Sequence, residues 1–255
     1  MKKTLNFLLL LTLLILNDSG QLAYAKPSIV KLLNYNVYFN DRTGKKRYPE
    51  IINYISSGDY NVITLQECTA VFIKMLLEDK RLKNYNLHQG ELIHGYTNVI
   101  LTSLSIAHKD IITFDSKMGR TAPIVYLENE NLAIVNVHLE SGLSDTLMRK
   151  SQIKQIFGTI KNQTNTIITG DFNFGDGEAE DILFKDFIDP GSELKIVTFD
   201  IENNPIANHT KYFLEKSRRL DKFFVKCELC NLTQFSVNKL LHSDHWPISV
   251  NLKFD

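Results

Sequence analysis

The sequence predicts an α+β fold in which two packed β-sheets are covered by helices. Strand-like runs rich in Val, Ile, Phe and Tyr recur along the chain and are bounded by Asn, Asp, Gly and Ser. Helical patterns separate only some of these runs, whereas a doubly wound parallel sheet would need a helix after nearly every strand. No internal repeat and no Pro/Gly-rich linker divides the chain. These observations favour one domain built from two sheets.

The first segment is predicted to be a cleavable secretory signal at residues 1–25. Two lysines precede an apolar run (residues 7–16), and small residues favour cleavage after Ala25. The apolar run is too short to cross a bilayer, which takes about 20 residues. We therefore expect a mature domain at 26–255 that is secreted or periplasmic, from a bacterium, without a stable membrane span.

The elements of the domain follow from periodicity and turn residues. The predicted strands cover residues 29–37, 61–65, 97–102, 106–114, 123–128, 132–139, 166–172, 220–225 and 247–254. The predicted helices cover residues 45–58, 69–82, 144–162 and 178–188. In the first helix Ile51, Ile52 and Ile55 share one face, and Ser144 is the expected N-cap of the third.

The charge balance argues against a protein that wraps duplex nucleic acid. The chain has 29 basic and 29 acidic residues. Removing the predicted leader leaves 27 and 28, because Lys2, Lys3 and Asp18 are lost with it. A surface that binds nucleic acid non-specifically is usually basic. Any nucleic-acid contact is therefore expected at one site.

The three cysteines indicate neither a zinc site nor a redox centre. Cys227 and Cys230 form one CxxC, and zinc would need about four ligands. A redox-active CxxC usually opens a helix, whereas this one follows a strand-like run. The pair could close a short disulfide in an oxidising compartment or could be incidental. Cys68 is predicted to be a buried thiol.

Polar side chains recur where the predicted strands end. They are Asn36, Glu67, His138, Asp171, Asn173, Asp221, Asp244 and His245. One such residue alone is more often a turn former or a core histidine. The number of these fragments favours a shared site. Trp246, which follows a turn, is predicted to pack in the core. The basic run at 42–47 can be a solvated helix start or a phosphate-steering cluster.

These fragments resemble the endonuclease/exonuclease/phosphatase superfamily from about residue 29 to 254. The motifs "LQE" and "GDFN" occur throughout that superfamily. The motifs "MGR", "HLES", "RLDKFF" and "SDHW" are closer to its 5′ tyrosyl-DNA phosphodiesterase type. That type usually has "GDTN" and "TWN", where this chain has Phe172 and "NYN". The resemblance implies a DNase I-like, four-layer α/β/β/α sandwich, with two mixed sheets packed face to face and the active site at one edge.

The resemblance also implies roles for the polar residues in phosphodiester hydrolysis. Glu67 and Asp244 would hold Mg²⁺, with Mn²⁺ as a substitute, because hard oxygen ligands suit these ions. Asp171 would activate or orient the attacking water, and Asn173 would hold a phosphate oxygen. The two side chains would face the same side if the local backbone is extended. Asn36 would donate to phosphate or orient Asp171.

The two histidines are expected to contact the phosphoryl oxygens. His138 and His245 would be cationic where nearby acids raise their pKa. Asp221 is the implied partner of His245. Arg120 can contact substrate phosphate or be an ordinary surface arginine.

Three functions remain open at this stage. The first is an exported, monomeric Mg²⁺-dependent phosphodiesterase that acts on nucleic acid or nucleic-acid adducts. The second keeps the chemistry but acts on a phospholipid or phosphoinositide, although no exposed apolar hairpin is evident in the sequence. The third is a catalytically silent binding module on the same scaffold.

Overall fold

The computed structural model describes residues 15–16, 22–23, 29–128, 131–228 and 230–254. The predicted leader lies outside these ranges except for two short antiparallel strands, β1 (Ile15–Leu16) and β2 (Leu22–Ala23). Within the described ranges, no helix is both long enough and apolar enough to span a membrane.

The larger sheet has six strands, and it contains both parallel and antiparallel pairs. Its strands are β3 (Ile29–Asn36), β4 (Val62–Thr69), β5 (Asn86–Gln89), β6 (Tyr96–Thr102), β12 (Cys230–Val237) and β13 (Ile248–Phe254). They lie in the order β12-β13-β3-β4-β6-β5. The pair β3–β4 is parallel, and the other pairs are antiparallel.

The second sheet has five strands and is also mixed. Its strands are β7 (Ile106–Thr113), β8 (Thr121–Leu127), β9 (Leu132–His138), β10 (Asn165–Asp171) and β11 (Asp221–Lys226). They lie side by side in chain order, and only β9–β10 is parallel. The predicted pair of mixed sheets is therefore confirmed, and β5 and β12 are strands that the sequence analysis missed.

Helices cover the outer faces of the two sheets. They are α1 (Asp41–Ser57), α2 (Ala70–Glu78), α3 (Thr146–Thr159) and the short α4 (Pro205–Thr210). Buried side chains of α1 and α2 share a cluster with β3, β4 and β6, and those of α3 share one with β8, β9 and β10. The predicted four-layer α/β/β/α order is confirmed.

Two details of the predicted helices are wrong. The N-cap of α3 is Asp145 rather than Ser144, because the Asp145 carbonyl accepts the first helical bond from the Arg149 amide. The segment predicted as a helix at 178–188 forms only a 3₁₀ turn at Asp181–Phe184. Its Glu180 is buried in an ion pair with Arg149 (2.7 Å), which ties this segment to α3.

An apolar layer between the sheets forms the centre of the core. Leu32 and Val250 from the larger sheet pack with Ile134, Ile167 and neighbouring side chains from the smaller one. Fully burying such a side chain contributes about 1.5–3 kcal/mol, so this layer is a main source of stability. Alternate residues of the same strands face the outer helices, as the two-residue strand period requires.

The cysteines and the tryptophan take structural places. Cys227 and Cys230 are joined by a disulfide between β11 and β12, and Cys68 is fully buried as predicted. Trp246 is also buried, which confirms its predicted packing role. The zinc alternative is thereby excluded for the CxxC pair.

Candidate active site

The inter-sheet layer changes from apolar to polar toward one end of the strands. On β3 the residues that face this layer run from Val30 and Leu32 to Asn34 and Asn36. The same change occurs on β9, from Ile134 to His138, and on β10, from Ile167 to Asp171. Side chains two apart on a strand share a face. The strand period alone therefore gathers these polar groups at one edge of the sandwich.

Asp171 lies at the centre of the polar side chains at this edge. Its Oδ2 accepts a hydrogen bond from Asn36 Nδ2 (3.0 Å) and lies 3.5 Å from His138 Nε2 and 3.6 Å from His245 Nε2. Its Oδ1 accepts from the Asn173 backbone N–H (3.0 Å). A single buried carboxylate thus contacts residues from three distant segments of the chain and one residue of its own segment.

Glu67 reaches the same place through a break in its strand. The pairing of β4 with β6 shifts register between Leu65 and Cys68, and Glu67 has a φ of 60°. Without this irregularity Gln66 and Glu67 would face opposite sides of the sheet. Bulges next to active sites commonly re-aim a side chain in this way. Glu67 then accepts from Asn36 Nδ2 (3.2 Å) and from the Phe39 N–H (2.9 Å).

Glu67 and Asp244 form an acidic side of the pocket. Burial and then the charge of Asp244 raise the pKa of Glu67 to about 7. Burial also raises the pKa of Asp244, whose carboxylate is held by Thr210 Oγ1 (3.0 Å) and Ser243 Oγ (3.2 Å). A cation between these carboxylates would relieve the repulsion that their burial creates.

This donor set suits a hard cation that is held mainly by water. Among the described residues, no group of three or more His, Cys, Asp or Glu side chains is arranged to hold a metal ion. Mg²⁺ typically takes one or two carboxylates and keeps several waters. Glu67 and Asp244 therefore fit Mg²⁺ better than they fit a fully protein-ligated metal such as structural zinc.

His245 is held as a cation. Its Nδ1 lies 2.7 Å from Asp221 Oδ2, and Asp221 stands opposite Asp171 in the β10–β11 pair. Burial alone would lower the pKa of His245, but the charges of Asp221 and Asp171 outweigh it and hold this pKa well above its usual value. The predicted partnership of Asp221 and His245 is present in the structure.

The surroundings of His138 favour its neutral form, which is the opposite of the expected shift. Burial and then the positive charge of Arg120 hold the pKa of His138 well below its usual value. Arg120 donates from Nη1 to His138 Nδ1 (2.9 Å), so the ring proton of His138 must lie on Nε2. The Nε2–H therefore faces Asp171 and the pocket. The upward pKa shift expected for both histidines is therefore present at His245, whereas the pKa of His138 is shifted downward.

Arg120 is a buried residue that lines the pocket, so the alternative of an ordinary surface arginine is wrong. Besides His138, its guanidinium contacts the Tyr96 hydroxyl (3.2 Å), Ser141 Oγ (3.4 Å) and Met118 Sδ (3.4 Å). Its carbon Cζ lies 5.6 Å from the centre of the Tyr96 ring. These partners are uncharged, so the positive charge is available to an anion in the pocket.

The residues of the "GDFN" motif point in different directions. Asn173 lines the pocket, and its φ of 55° shows that the backbone at this residue is not extended. Its Nδ2 donates to the Leu139 carbonyl (3.0 Å), which leaves one amide hydrogen for a ligand. Phe172 faces away from the pocket and packs edge-on against Phe224 (5.0 Å between ring centres). A core side chain thus stands at the position where the resembled type has threonine.

An amide layer behind the site was missed by the sequence analysis. Gln66 Nε2 donates to Asn34 Oδ1 (2.7 Å) and to Asn136 Oδ1 (2.6 Å), which joins the two sheets. Asn34 Nδ2 in turn donates to Asp221 Oδ1 (3.4 Å). The two-residue period of β3, β4 and β9 could have revealed these amides, because each continues an apolar face.

Aromatic residues form the walls of the pocket and were also missed. The pocket has a volume of about 460 Å³. Tyr38, Phe39 and Tyr96 line one part of it, with the Phe39 and Tyr96 rings 5.0 Å apart, and Phe199 and Tyr212 line another. These residues lie mostly in loops, where no periodic pattern marks them.

The pocket belongs to a fold that other proteins share. A profile described as "Endonuclease/Exonuclease/phosphatase family" matches residues 33–245, which is most of the chain. The chain belongs to the endonuclease/exonuclease/phosphatase family. No curated protein gives a match to the sequence.

Solved structures of this family share the fold at low sequence identity. A D. rerio TDP2 complexed with single strand DNA product is 23% identical, with a TM-score of 0.75, over 89% of this chain and 100% of that chain. TDP2 from C. elegans is 18% identical, with a TM-score of 0.73, over 88% of this chain and 75% of that chain.

A bacterial member of the family also matches. An endonuclease/exonuclease/phosphatase family protein from Bacteroides thetaiotaomicron is 17% identical, with a TM-score of 0.71, over 91% of this chain and 100% of that chain. The resemblance of the motifs to the superfamily, and to its tyrosyl-DNA type, is therefore confirmed at the level of the fold.

Proposed function

We propose that the chain is an exported, monomeric, Mg²⁺-dependent phosphodiesterase that acts on nucleic acid or on nucleic-acid adducts. The observation that carries this proposal is the position of Asp171, a buried carboxylate within 3.6 Å of Asn36, His138 and His245. Phosphoryl transfer needs an oriented water and neutralised phosphoryl oxygens, with little covalent chemistry from the protein. This arrangement supplies both.

Each residue at the polar edge has a part in the proposed reaction. Asp171 accepts a proton from the attacking water, and Asn36 holds the carboxylate in place. The cationic ring of His245 stabilises charge on the phosphoryl oxygens, while the neutral His138 donates from Nε2. Asn173 donates its free amide hydrogen. These donors are fixed before substrate binds, which is the condition for effective electrostatic stabilisation.

Two further features of the site would neutralise the negative charge of the substrate. Arg120 binds a phosphate oxygen through a guanidinium that has only uncharged partners. Glu67 and Asp244 would hold Mg²⁺, which neutralises and polarises the phosphoryl oxygens when it is bound.

Nucleic acid is the favoured substrate class because of the pocket walls. Tyr38, Phe39, Tyr96, Phe199 and Tyr212 give flat rings on which bases or an aromatic leaving group can stack. Stacking of a base on an aromatic side chain is worth about 1–3 kcal/mol. The structural neighbour TDP2 is complexed with single strand DNA product, which supports the same substrate class here.

A substrate panel on the purified domain at 26–255 tests the proposal. It comprises 5′-phosphotyrosyl oligonucleotide, single- and double-stranded DNA, RNA, sphingomyelin and phosphoinositides, each with Mg²⁺ and with EDTA. We expect hydrolysis of at least one nucleic-acid substrate with Mg²⁺ and none with EDTA. Hydrolysis of lipid alone, activity that is indifferent to EDTA, or no activity on any substrate would contradict the proposal. The last outcome is the one expected of a silent binding module.

Phospholipid is a second candidate substrate, because of an exposed apolar turn beside the pocket that the sequence analysis did not detect. Phe213 is 89% exposed and Leu214 is 77% exposed at the tip of this turn, and Leu214 has a φ of 69°. Tyr212 and Glu215 at its base line the pocket, and the Glu215 carboxylate accepts from the Tyr212 N–H (2.9 Å). A rigid turn that presents apolar side chains can enter a lipid interface.

The double variant Phe213→Ser/Leu214→Ser separates the two candidates. If lipid is the substrate, we expect binding to phosphatidylserine vesicles to fall at least about 10-fold in a sedimentation assay. Leu147→Ser is a matched control, because Leu147 is 82% exposed on α3 and lies outside the pocket. Absence of vesicle binding by the unaltered protein would reject the lipid candidate.

A further inference from the structure

Arg47 is a buried arginine of α1 that has no place in the proposed chemistry. The sequence analysis placed it in the basic run at 42–47, as a solvated helix start or a phosphate-steering cluster. In the structure it is only 7% exposed and lies beneath the loops that form the pocket. Neither reading of the basic run therefore applies to Arg47.

The guanidinium of Arg47 uses five hydrogen bonds, one for each of its N–H groups. Nε donates to Thr43 Oγ1, Nη1 to the carbonyls of Val37 and His242, and Nη2 to the carbonyls of Tyr38 and Asn40; these bonds are 2.8–3.0 Å long. All five acceptors are neutral oxygens, and four of them are backbone carbonyls. The contacts thus fix the chain path rather than neutralise a carboxylate.

The carbonyls that Arg47 binds belong to two separate segments of the site. The first, residues 37–40, supplies the Phe39 N–H that holds Glu67 (2.9 Å). The second, residues 242–245, carries Asp244 and His245. Its Ser243 hydroxyl also donates to the Asn36 carbonyl (2.6 Å). One side chain therefore spans both segments, which lie about 200 positions apart in the sequence.

We propose that Arg47 is a positioning residue that locks segment 37–40 against segment 242–245. Segment 37–40 holds Glu67 through the Phe39 N–H, and segment 242–245 carries Asp244 and His245. Arg47 thereby sets the separation between Glu67 and these two residues. This inference rests on the proposed function, since it concerns the geometry of the same site. A displacement of about 1 Å among reacting groups can lower a rate about 100-fold.

Lysine cannot replace Arg47 in this role, although it keeps the charge. An ammonium group is a compact donor with three hydrogens, whereas the planar guanidinium reaches acceptors on three sides. Arg47→Lys therefore separates positioning from charge. Thr43→Ala is a milder variant, because Thr43 is exposed and its loss frees only Nε. Tyr48→Phe is the matched control: Tyr48 is also buried on α1, and its hydroxyl donates to Asp41 (2.7 Å), outside the pocket.

The test combines kinetics with hydrogen exchange, using bis(p-nitrophenyl) phosphate and Mg²⁺ as the probe. We expect Arg47→Lys to lower kcat about 100-fold with less than about 3-fold change in KM. We expect a smaller loss in Thr43→Ala and no loss in Tyr48→Phe. Backbone amides of Val37, Phe39 and His245 should exchange faster in Arg47→Lys, while those of β9 and β10 keep their protection.

The outcomes distinguish this inference from the proposed function. Wild-type kcat in Arg47→Lys, or unchanged hydrogen exchange in both segments, would overturn the inference. If Arg47→Lys fails to fold, the same two measurements on Thr43→Ala decide instead. A fall in kcat equal to that of Tyr48→Phe would also overturn it. Faster hydrogen exchange in both segments of Arg47→Lys, together with no hydrolysis by the unaltered protein, would support the positioning role of Arg47 but reject the proposed function.

Discussion

The Asp171→Asn variant is expected to lose about 10³-fold in kcat while it remains folded. Asn36 donates to Oδ2 of Asp171 and the Asn173 N–H donates to Oδ1, so an asparagine, which has a single side-chain oxygen, keeps one of these two hydrogen bonds. It cannot accept a proton from water, because an amide is not a base at neutral pH. The variant thus removes proton transfer and one hydrogen bond, while it keeps the shape and size of the side chain.

The measurement is a single-turnover rate with Mg²⁺ on the nucleic-acid substrate that the panel identifies, beside a thermal unfolding curve. Asp186→Asn is the matched control, because it makes the same change at an exposed position outside the pocket. We expect the control to keep the wild-type rate. A rate within about 10-fold of wild type in Asp171→Asn would contradict its role as the proton acceptor.

The period of the strands made much of the site predictable. Asn36, His138 and Asp171 each lie at the end of a predicted strand, on the face that carries Leu32, Ile134 or Ile167 four residues earlier. Both the strand and the face of the polar residue therefore follow from the sequence. The same reasoning extends to Asn34, which follows Val30 and Leu32 on the same face of β3. Strand ends and strand faces are therefore the reliable part of such a prediction.

Irregular backbone was not predictable, because no periodic pattern marks it. Glu67 enters the pocket through a bulge at a φ of 60°, and Asn173 does so at a φ of 55°. Both were assigned to the site by motif resemblance, and both line the pocket although neither has the extended backbone of a regular strand. Strained conformations of this kind concentrate at functional sites, where local preference and the required geometry disagree.

The charges that surround each titratable group were the other part of the site that could not be predicted from the sequence. His138 and His245 have the same side chain and opposite pKa shifts, since one contacts Arg120 and the other contacts Asp221. Arg47 was placed in a basic surface run, although its partners lie in a segment about 200 positions away. Only the packing of distant segments decides which charge a titratable group meets.

The His245→Ala variant is expected to lose about 10²- to 10⁴-fold in kcat, because it removes the one imidazolium that faces the phosphoryl group. It also leaves Asp221 buried without its 2.7 Å partner. Asp221→Asn should give a smaller loss, since the ring stays in place but loses the neighbouring charge that favours its protonated form. His108→Ala is the control, because His108 is exposed on β7 and should leave the rate unchanged.

The pH dependence of stability gives this prediction a second readout that does not depend on turnover. The pKa of His245 is raised in the folded state, so the fold favours the protonated ring. This contribution is fully present below the unfolded pKa of about 6.5 and is lost as the pH rises through the folded pKa. The difference in Tm between wild type and His245→Ala, measured in EDTA, should therefore shrink toward alkaline pH. A constant difference across the pH range would mean that His245 is neutral in the fold, and the cationic role proposed for it would have to be abandoned.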